Sequence, residues 1–226
     1  MKGRFIVLEG IDGSGSTTQT NLLATYLFNR SKSNVIVKTR EPTSLNIYGE
    51  EIRRRLRNEL FPYEELNHDP KFWTELFVND RKWHLENIVC PAIDKGEQVI
   101  TDRHMLSTLA YQSTQGMNLN ELIEMHRSFY APDLTIFLEV PVEIALKRRL
   151  NESGDPEYFE RLDFQARLID SYKAAIEKVR EQQKIVIIGG NRPVYEVAED
   201  IQKSVNPLFG CELPRVSPAG LTRGVT

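Results

Sequence analysis

The residues best suited to chemistry lie together near the start of the chain: Gly10-Ile11-Asp12-Gly13-Ser14-Gly15-Ser16-Thr17-Thr18. In a phosphate-binding loop of the form G-x-x-x-x-G-K-[ST], glycines let backbone N–H groups wrap the phosphates. The lysine reaches the β- and γ-phosphates and the hydroxyl holds Mg2+. Gly10, Gly15 and Thr17 stand at the required spacings, and Ser16 occupies the lysine position. The letters alone carry little weight, because a glycine pair at this spacing is expected about once by chance at ordinary glycine usage. Position carries more: an apolar run at 5–8 precedes the loop and a helix-like run at 19–28 follows it. A helix starting there points its unbonded N–H groups at an anion.

Further candidates follow along the chain. Thr39-Arg40-Glu41-Pro42 places Arg40 at the end of a second apolar run, where the proline stops regular structure. Arg53, Arg54, Arg55 and Arg57 read as a solvated helix face paired with Glu50, Glu51 and Glu59. In a helical run over about 71–94, Trp73, Phe77, Arg81, Leu85 and Ile88 recur at spacings of three and four. A guanidinium in such an apolar stripe must find an anion or acceptor, and Phe77 one turn earlier offers a face for a flat ring. The same spacing also fits Phe77 in the core and Arg81 reaching water. Asp102-Arg103-His104 closes a third run, where Asp102 could join a Mg2+ shell and Arg103 clamp a phosphate, or the two could pair locally. Tyr111 and Gln112 offer hydrogen bonds over a pocket. Lys147-Arg148-Arg149, a break at 151–156, and a helix carrying Arg161, Arg167 and Tyr172 fit a lid over a transferring phosphoryl group. They equally fit a helix hairpin with a solvated basic end.

The elements that must position these groups are short strands at 5–8, 35–38, 98–101, 134–138 and 185–188, separated by longer amphipathic runs. That alternation predicts an α/β fold, a five-stranded parallel sheet with helices on both faces and its site at the carboxyl ends of the strands. One domain over 1–205, with the lid at about 148–161, and an extended tail over 206–226 fit the pattern. A net charge of -3 argues against a strongly basic nucleic-acid binder. Cys90 and Cys211 form no C-x-x-C spacing and the four histidines no metal-ligand spacing, which suits a reducing cytoplasm. No apolar run approaches the ~20 residues of a membrane span, and the N-terminus reads as a first strand and not a signal peptide.

In order, Leu8-Glu9-Gly10-Ile11-Asp12-Gly13-Ser14-Gly15, Thr39-Arg40-Glu41-Pro42, Leu76-Phe77 with Arg81, Asp102-Arg103-His104, Ala110-Tyr111-Gln112, Pro132-Asp133-Leu134-Thr135 and Val140-Pro141 match one pattern. Over about residues 3–205 the chain resembles the thymidylate kinases, P-loop nucleoside monophosphate kinases. The resemblance implies phosphorylation of dTMP to dTDP with ATP and Mg2+ in dTTP synthesis, by a homodimer packed through helices. It implies Phe77 stacked on the thymine, Arg81 on the base edge and near the substrate phosphate, and Arg103 with Arg40 on that phosphate. Thr108 and Gln112 would lie near the base, Tyr111 under the sugar, and Asp12 at the 3′-hydroxyl or the metal shell. Gly10 to Thr18 would hold the ATP phosphates, Thr17 and Asp102 the metal, and Asn191 and Arg192 would lie near the adenine. Arg148, Arg149 and Arg161 flank the lid.

Ser16 departs from the family, where a lysine is normal. One charge pair at ~4 Å and an effective dielectric of ~20 amounts to ~4 kcal/mol, about three orders of magnitude in rate if lost only in the transition state. Either another cation enters, with Arg148, Arg149 and Arg161 as candidates, or the protein binds nucleotides with weak or no transfer. A related kinase for another (deoxy)nucleoside monophosphate is a further alternative. Compensation is the expectation, because the rest of the charged pocket is present.

Overall fold

The computed structural model describes residues 2–31, 33–57, 69–151 and 162–210. The five apolar runs form five strands: β1 (Phe5–Glu9), β2 (Ile36–Arg40), β3 (Gln98–Asp102), β4 (Leu134–Glu139) and β5 (Ile185–Gly189). Every pairing is parallel and the order is β2-β3-β1-β4-β5. Side chains alternate along a strand, and β1 divides accordingly. Ile6 and Leu8 pack with Leu23 and Leu27 of α1 (Ser16–Arg30) and Val197 and Ile201 of α9 (Val194–Val205). Phe5 and Val7 point the other way, toward Leu85, Val89 and Ile93. On that face Phe137 of β4 joins Leu109 of α5 (Met105–Thr114) and Leu168 and Tyr172 of α8 (Leu162–Val179). Of the shorter helices, α2 (Ile47–Leu56) packs Ile52 against Trp73, while α6 (Leu119–His126) and α7 (Val142–Asn151) add Leu122, Val142 and Ala145 to the cluster around Phe137. Strand order reverses on either side of β1, and such a reversal opens a crevice beyond the strand ends.

The helical run expected over 71–94 is α3 (Pro70–His84), one π turn (Leu85–Val89) and α4 (Cys90–Asp94). Asp69 caps its start by accepting from the Lys71 N–H. The stripe holds at Trp73, Arg81 and Leu85, all buried. The π turn then inserts a residue and shifts the register, so Val89 takes the next core place while Ile88 is only part-buried.

Beyond α9 the chain does not extend away at once. Asn206–Phe209 forms a 3-10 turn, because Asn206 accepts from the Tyr26 hydroxyl and the Arg30 guanidinium and Arg30 lies over the Phe209 ring at 5.1 Å. These isolated side-chain anchors leave no periodic trace, so the start of the expected tail is corrected by four residues. The rest of that tail, 211–226, lies outside the described residues, as do lid positions 152–161, including Arg161, and Glu59. Among the described residues no helix is long and apolar enough to cross a membrane.

Candidate functional site

Two left-handed glycines turn the chain from β1 into α1: Gly13 at φ 80° and Gly15 at φ 90°. A Cβ on Gly13 would lie 2.1 Å from the Ala145 carbonyl oxygen, so only glycine lets the loop pass α7. Gly15 starts α1 without a side-chain cap, and an uncapped helix start keeps N–H donors for an anion. Ile11, Asp12, Gly13, Ser14, Gly15, Ser16, Thr17 and Thr18 line a cavity of about 300 Å³, the donor cavity, while Gly10 is not part of its lining. Its cations are Arg40, Arg103, Arg148, Arg149 and Arg192. Arg148 donates to the Gly190 carbonyl at 3.0 Å and to the Gly13 carbonyl at 3.5 Å, which lays its guanidinium across the loop. Arg192 is tied to the Gly189 carbonyl and the Asp200 carboxylate, and exposed Asn191 lies outside the cavity lining.

Thr17 Oγ1 donates to Asp102 Oδ2 at 2.5 Å. Asp102 Oδ1 is buried and accepts nothing among the described residues. An unfilled carboxylate oxygen beside a hydroxyl suits Mg2+, which usually takes one or two protein oxygens and completes its shell with phosphate and water. No group of three or more His, Cys, Asp or Glu among the described residues offers an all-protein metal cage.

A second cavity of about 260 Å³, the acceptor cavity, adjoins the first, and Asp12, Arg40, Arg103 and Arg149 line both. Phe77, Arg81, Thr108, Tyr111 and Gln112 complete one side of it. Arg103 is the one non-glycine at positive φ among the described residues, at 72°, a conformation that costs about 1–2 kcal/mol. The kink ends β3 and turns the guanidinium onto Asp12, the Ser107 hydroxyl and the Tyr111 ring, 5.5 Å away. Tyr111 donates to Asp12 Oδ2 at 3.1 Å, and burial raises its pKa, so the hydroxyl keeps its proton. Gln112 is fully buried, yet neither its oxygen nor its nitrogen has a partner among the described residues. A buried amide left this way carries a desolvation penalty that a ligand with a paired donor and acceptor edge removes.

Behind this wall is a closed polar network. Arg81, 1% exposed, donates through Nε to Glu41 Oε2 at 2.8 Å, through Nη2 to Thr108 Oγ1 at 2.9 Å, and through Nη1 to His126 Nε2 at 2.6 Å. Thr108 therefore accepts from Arg81 and keeps its own proton as a donor. His84 and His104 both donate from Nδ1 to Glu41 Oε1, at 2.9 and 3.0 Å. Burial acts to raise the Glu41 carboxyl, but the Arg81 charge together with the hydrogen bonds from His104 and His84 outweighs it and holds the group well below its usual range. Burial and the Arg81 charge push His126 down to about 3, and burial lowers His104 as well. Glu9, fully buried at the end of β1, is pushed up to about 7 by burial against the pull of Ser107 and Arg103.

Of the residues singled out from the sequence, the structure brings to the two cavities Asp12, Arg40, Phe77, Arg81, Arg103, Thr108, Tyr111 and Gln112, with the loop, Asp102, Arg148, Arg149 and Arg192. Arg81 does not snorkel to water: it is buried, has a partner at each of its three nitrogens, and also lines the acceptor cavity. The arginine-rich helix is not simply a solvated face either. Arg55 pairs with Glu51, but Arg53 binds the Pro42 and Thr43 carbonyls, and Arg53 and Arg57 line the acceptor cavity. Glu9, Ser107 and His126 have no role in the sequence reading. Only His84, one turn beyond Arg81, left a local signal.

The thymidylate kinase family model matches residues 8–201. A probable thymidylate kinase of Pyrococcus abyssi is 35% identical over 202 residues, covering 89% of this chain and 95% of that protein. A thymidylate kinase of Clostridium novyi is 35% identical over 210 residues, covering 89% and 97%. A third, of Desulfotalea psychrophila, is 38% identical over 167 residues, covering 71% and 77%.

Proposed function

The chain belongs to the thymidylate kinase family, and from that premise we propose that it transfers the γ-phosphoryl group of ATP to dTMP, giving dTDP and ADP. The observation that carries this reading is the meeting of a loop-wrapped donor cavity and an acceptor cavity at Asp12, Arg40, Arg103 and Arg149. An in-line transfer needs two anionic ligands facing each other across such a seam.

In the acceptor cavity the thymine lies against Phe77, with the Gln112 amide and the Thr108 hydroxyl on its edge. Arg81 acts through Thr108, whose acceptor side it fills. Arg103 and Arg40 hold the dTMP phosphate, while Asp12 accepts the 3′-hydroxyl and Tyr111 limits room beside the sugar. The attacking phosphate oxygen is already anionic, so the residues orient it and balance charge, with no general base. In the donor cavity the α1 N–H groups take the ATP phosphates, and Arg192 borders the base end. Thr17 and Asp102 would hold Mg2+, which would supply charge neutralisation for the ATP phosphates. Ser16 is 7% exposed and offers only a hydroxyl. Arg148 and Arg149 are the described lid-side cations that compensate, and Arg149 lies at the seam itself. A cytoplasmic homodimer completes the reading, and sedimentation at the 26.1 kDa mass of one chain would overturn the dimer.

The test is an ADP-release assay with MgATP and dTMP, dUMP, dCMP or dGMP. Turnover that depends on dTMP is expected, and its absence with every triphosphate tried refutes the reading. Ser16 keeps one rival in view, a nucleotide-binding module without transfer. Calorimetric binding of dTMP without product, with activity gained in Ser16→Lys, would establish that rival.

A further inference from the structure

We infer that Glu9 is a positioning residue of the acceptor site: from β1 it caps the first turn of α5 across the sheet and so sets where Arg103, Thr108, Tyr111 and Gln112 stand. The kinetic part of this inference rests on the dTMP kinase reading; the structural part does not.

A helix start leaves N–H donors that normally turn to a side chain one residue ahead. α5 has no such cap, since the side chain of its N-cap residue, His104, makes no capping bond. The donors go instead to a carboxylate 95 residues earlier in the chain, where Glu9 Oε1 accepts from the His104 N–H at 2.8 Å. The same oxygen accepts from the Ser107 N–H at 3.2 Å, and Oε2 takes the Ser107 hydroxyl at 2.5 Å. A negative charge is also what the positive end of a helix favours. Alternation along β1 puts Glu9 on the same side as Phe5 and Val7, and this is why a strand residue can reach α5.

The cap is joined to both halves of the site. The Ser107 hydroxyl accepts from Arg103 Nη1 at 3.2 Å and lies 2.9 Å from the Tyr172 hydroxyl, which is 3.3 Å from the carbonyl of Gly10, the first loop glycine. With Glu9 ionised, Ser107 donates to Glu9 and Tyr172 donates to Ser107. With Glu9 neutral, its own proton goes to Ser107, the Ser107 proton to Tyr172 and the Tyr172 proton to Gly10. The same heavy atoms serve both arrangements. The groups facing Glu9 are Arg103 from the end of β3, Ser107 from α5 and Tyr172 from α8. The His104 ring is turned to Glu41, and Asp12 faces Arg103 and not Glu9. Burial disfavours the charged carboxyl, so a group present only for stability would be apolar here. Its charge instead serves the helix that carries the substrate residues.

Glu9→Gln tests this, because the amide is isosteric, can still accept from the two N–H groups, and stays neutral at every pH. Steady-state KM values for dTMP and ATP are measured at pH 6 and pH 8, with amide hydrogen exchange over 104–108. Because charge-assisted hydrogen bonds exceed neutral ones, the variant should show a KM for dTMP raised about tenfold at pH 8, with the ATP KM within about twofold. The gap should shrink at pH 6, where Glu9 is itself largely protonated, and exchange over 104–108 should quicken at pH 8. Titration of the dTMP phosphate affects both proteins and drops out of the comparison. Glu9→Asp, which keeps the charge, should keep the pH dependence. An unchanged dTMP KM at pH 8, an equal loss at both pH values, or equal rises in both KM values overturns the inference. If the wild type gives no dTMP-dependent turnover, the function reading has failed, and unchanged exchange over 104–108 then overturns this inference by itself. If Glu9→Gln does not fold, Ser107→Ala, which removes the Oε2 partner, is judged by the same readouts.

Discussion

Replacing His126 with glutamine asks whether the seat of Arg81 depends on a histidine that stays neutral. His126 Nδ1 donates to the Leu122 carbonyl at 2.6 Å, and Nε2 accepts from Arg81 at 2.6 Å. A second ring proton would point at a guanidinium, and burial with the Arg81 charge lowers the pKa from 6.5 to about 3. Between those values the unfolded chain binds a proton that the folded chain refuses. The stability tied to neutral His126 is therefore complete above pH 6.5 and is lost as the pH falls toward 3. From pH 7 to pH 5 the loss is about 2 kcal/mol, on the scale of 1.36 kcal/mol for each pH unit between the two values. Glutamine can accept from Arg81 and does not titrate. At pH 7 His126→Gln should be less stable by about 1–2 kcal/mol, having lost the Leu122 bond and the edge contact with Phe129 at 5.6 Å. At pH 5 that gap should close by about 2 kcal/mol. Guanidinium chloride unfolding of both proteins at the two pH values measures it. Glu9 and His104, whose pKa values are shifted by burial, are present in both proteins and cancel. A gap that stays the same at pH 7 and pH 5 refutes the neutral, Nδ1-protonated ring.

Three further outcomes follow from the site. Gln112→Leu should raise the KM for dTMP by about 100-fold and leave the ATP KM alone, since a base edge loses its buried partner; initial rates with each substrate varied decide it, and an unchanged dTMP KM removes Gln112 from the base. Asp102→Asn should shift the Mg2+ dependence of turnover upward by about tenfold, read from a metal titration at saturating nucleotides, and an unshifted midpoint contradicts the metal role. Among Arg148→Met, Arg149→Met and Arg161→Met, at least one should lower kcat more than tenfold, and smaller losses in all three sink compensation for Ser16 from the lid side.

Much of the framework was legible because it is local. Each strand is a short apolar run, and the loop glycines, Thr17 and the Asp102-Arg103 pair sit at fixed offsets from strand ends. The polar network was not legible, because Glu41, Arg81, His104 and His126 come from four separate segments and meet only once the sheet and helices have formed. Scattered histidines with no ligand spacing looked uninformative, yet three of them seat one arginine and one glutamate. The π turn was hidden for another reason: a single inserted residue moves the core position from Ile88 to Val89 without disturbing the composition of the run. Glu9 stood inside a quoted motif, but nothing local indicates that a strand residue caps a helix 95 residues on.

The same network explains how so many cations can share one crevice. Arg40, Arg53, Arg57, Arg81, Arg103 and Arg149 all line the acceptor cavity, and like charges this close oppose one another. Arg81 is answered by buried Glu41 and Arg103 by Asp12, so the positions of these two are fixed before any phosphate arrives. Preorganised charge acts without reorganising when the reaction takes place. The donor side follows a different rule. Its loop has no lysine, and the Arg148 guanidinium already spans the Gly13 and Gly190 carbonyls beside Ser16. A lysine at position 16 would place a second cation against the same loop. If the α7 arginines supply the missing charge, they and a lysine at position 16 are two ways of bringing one positive charge to the same phosphates.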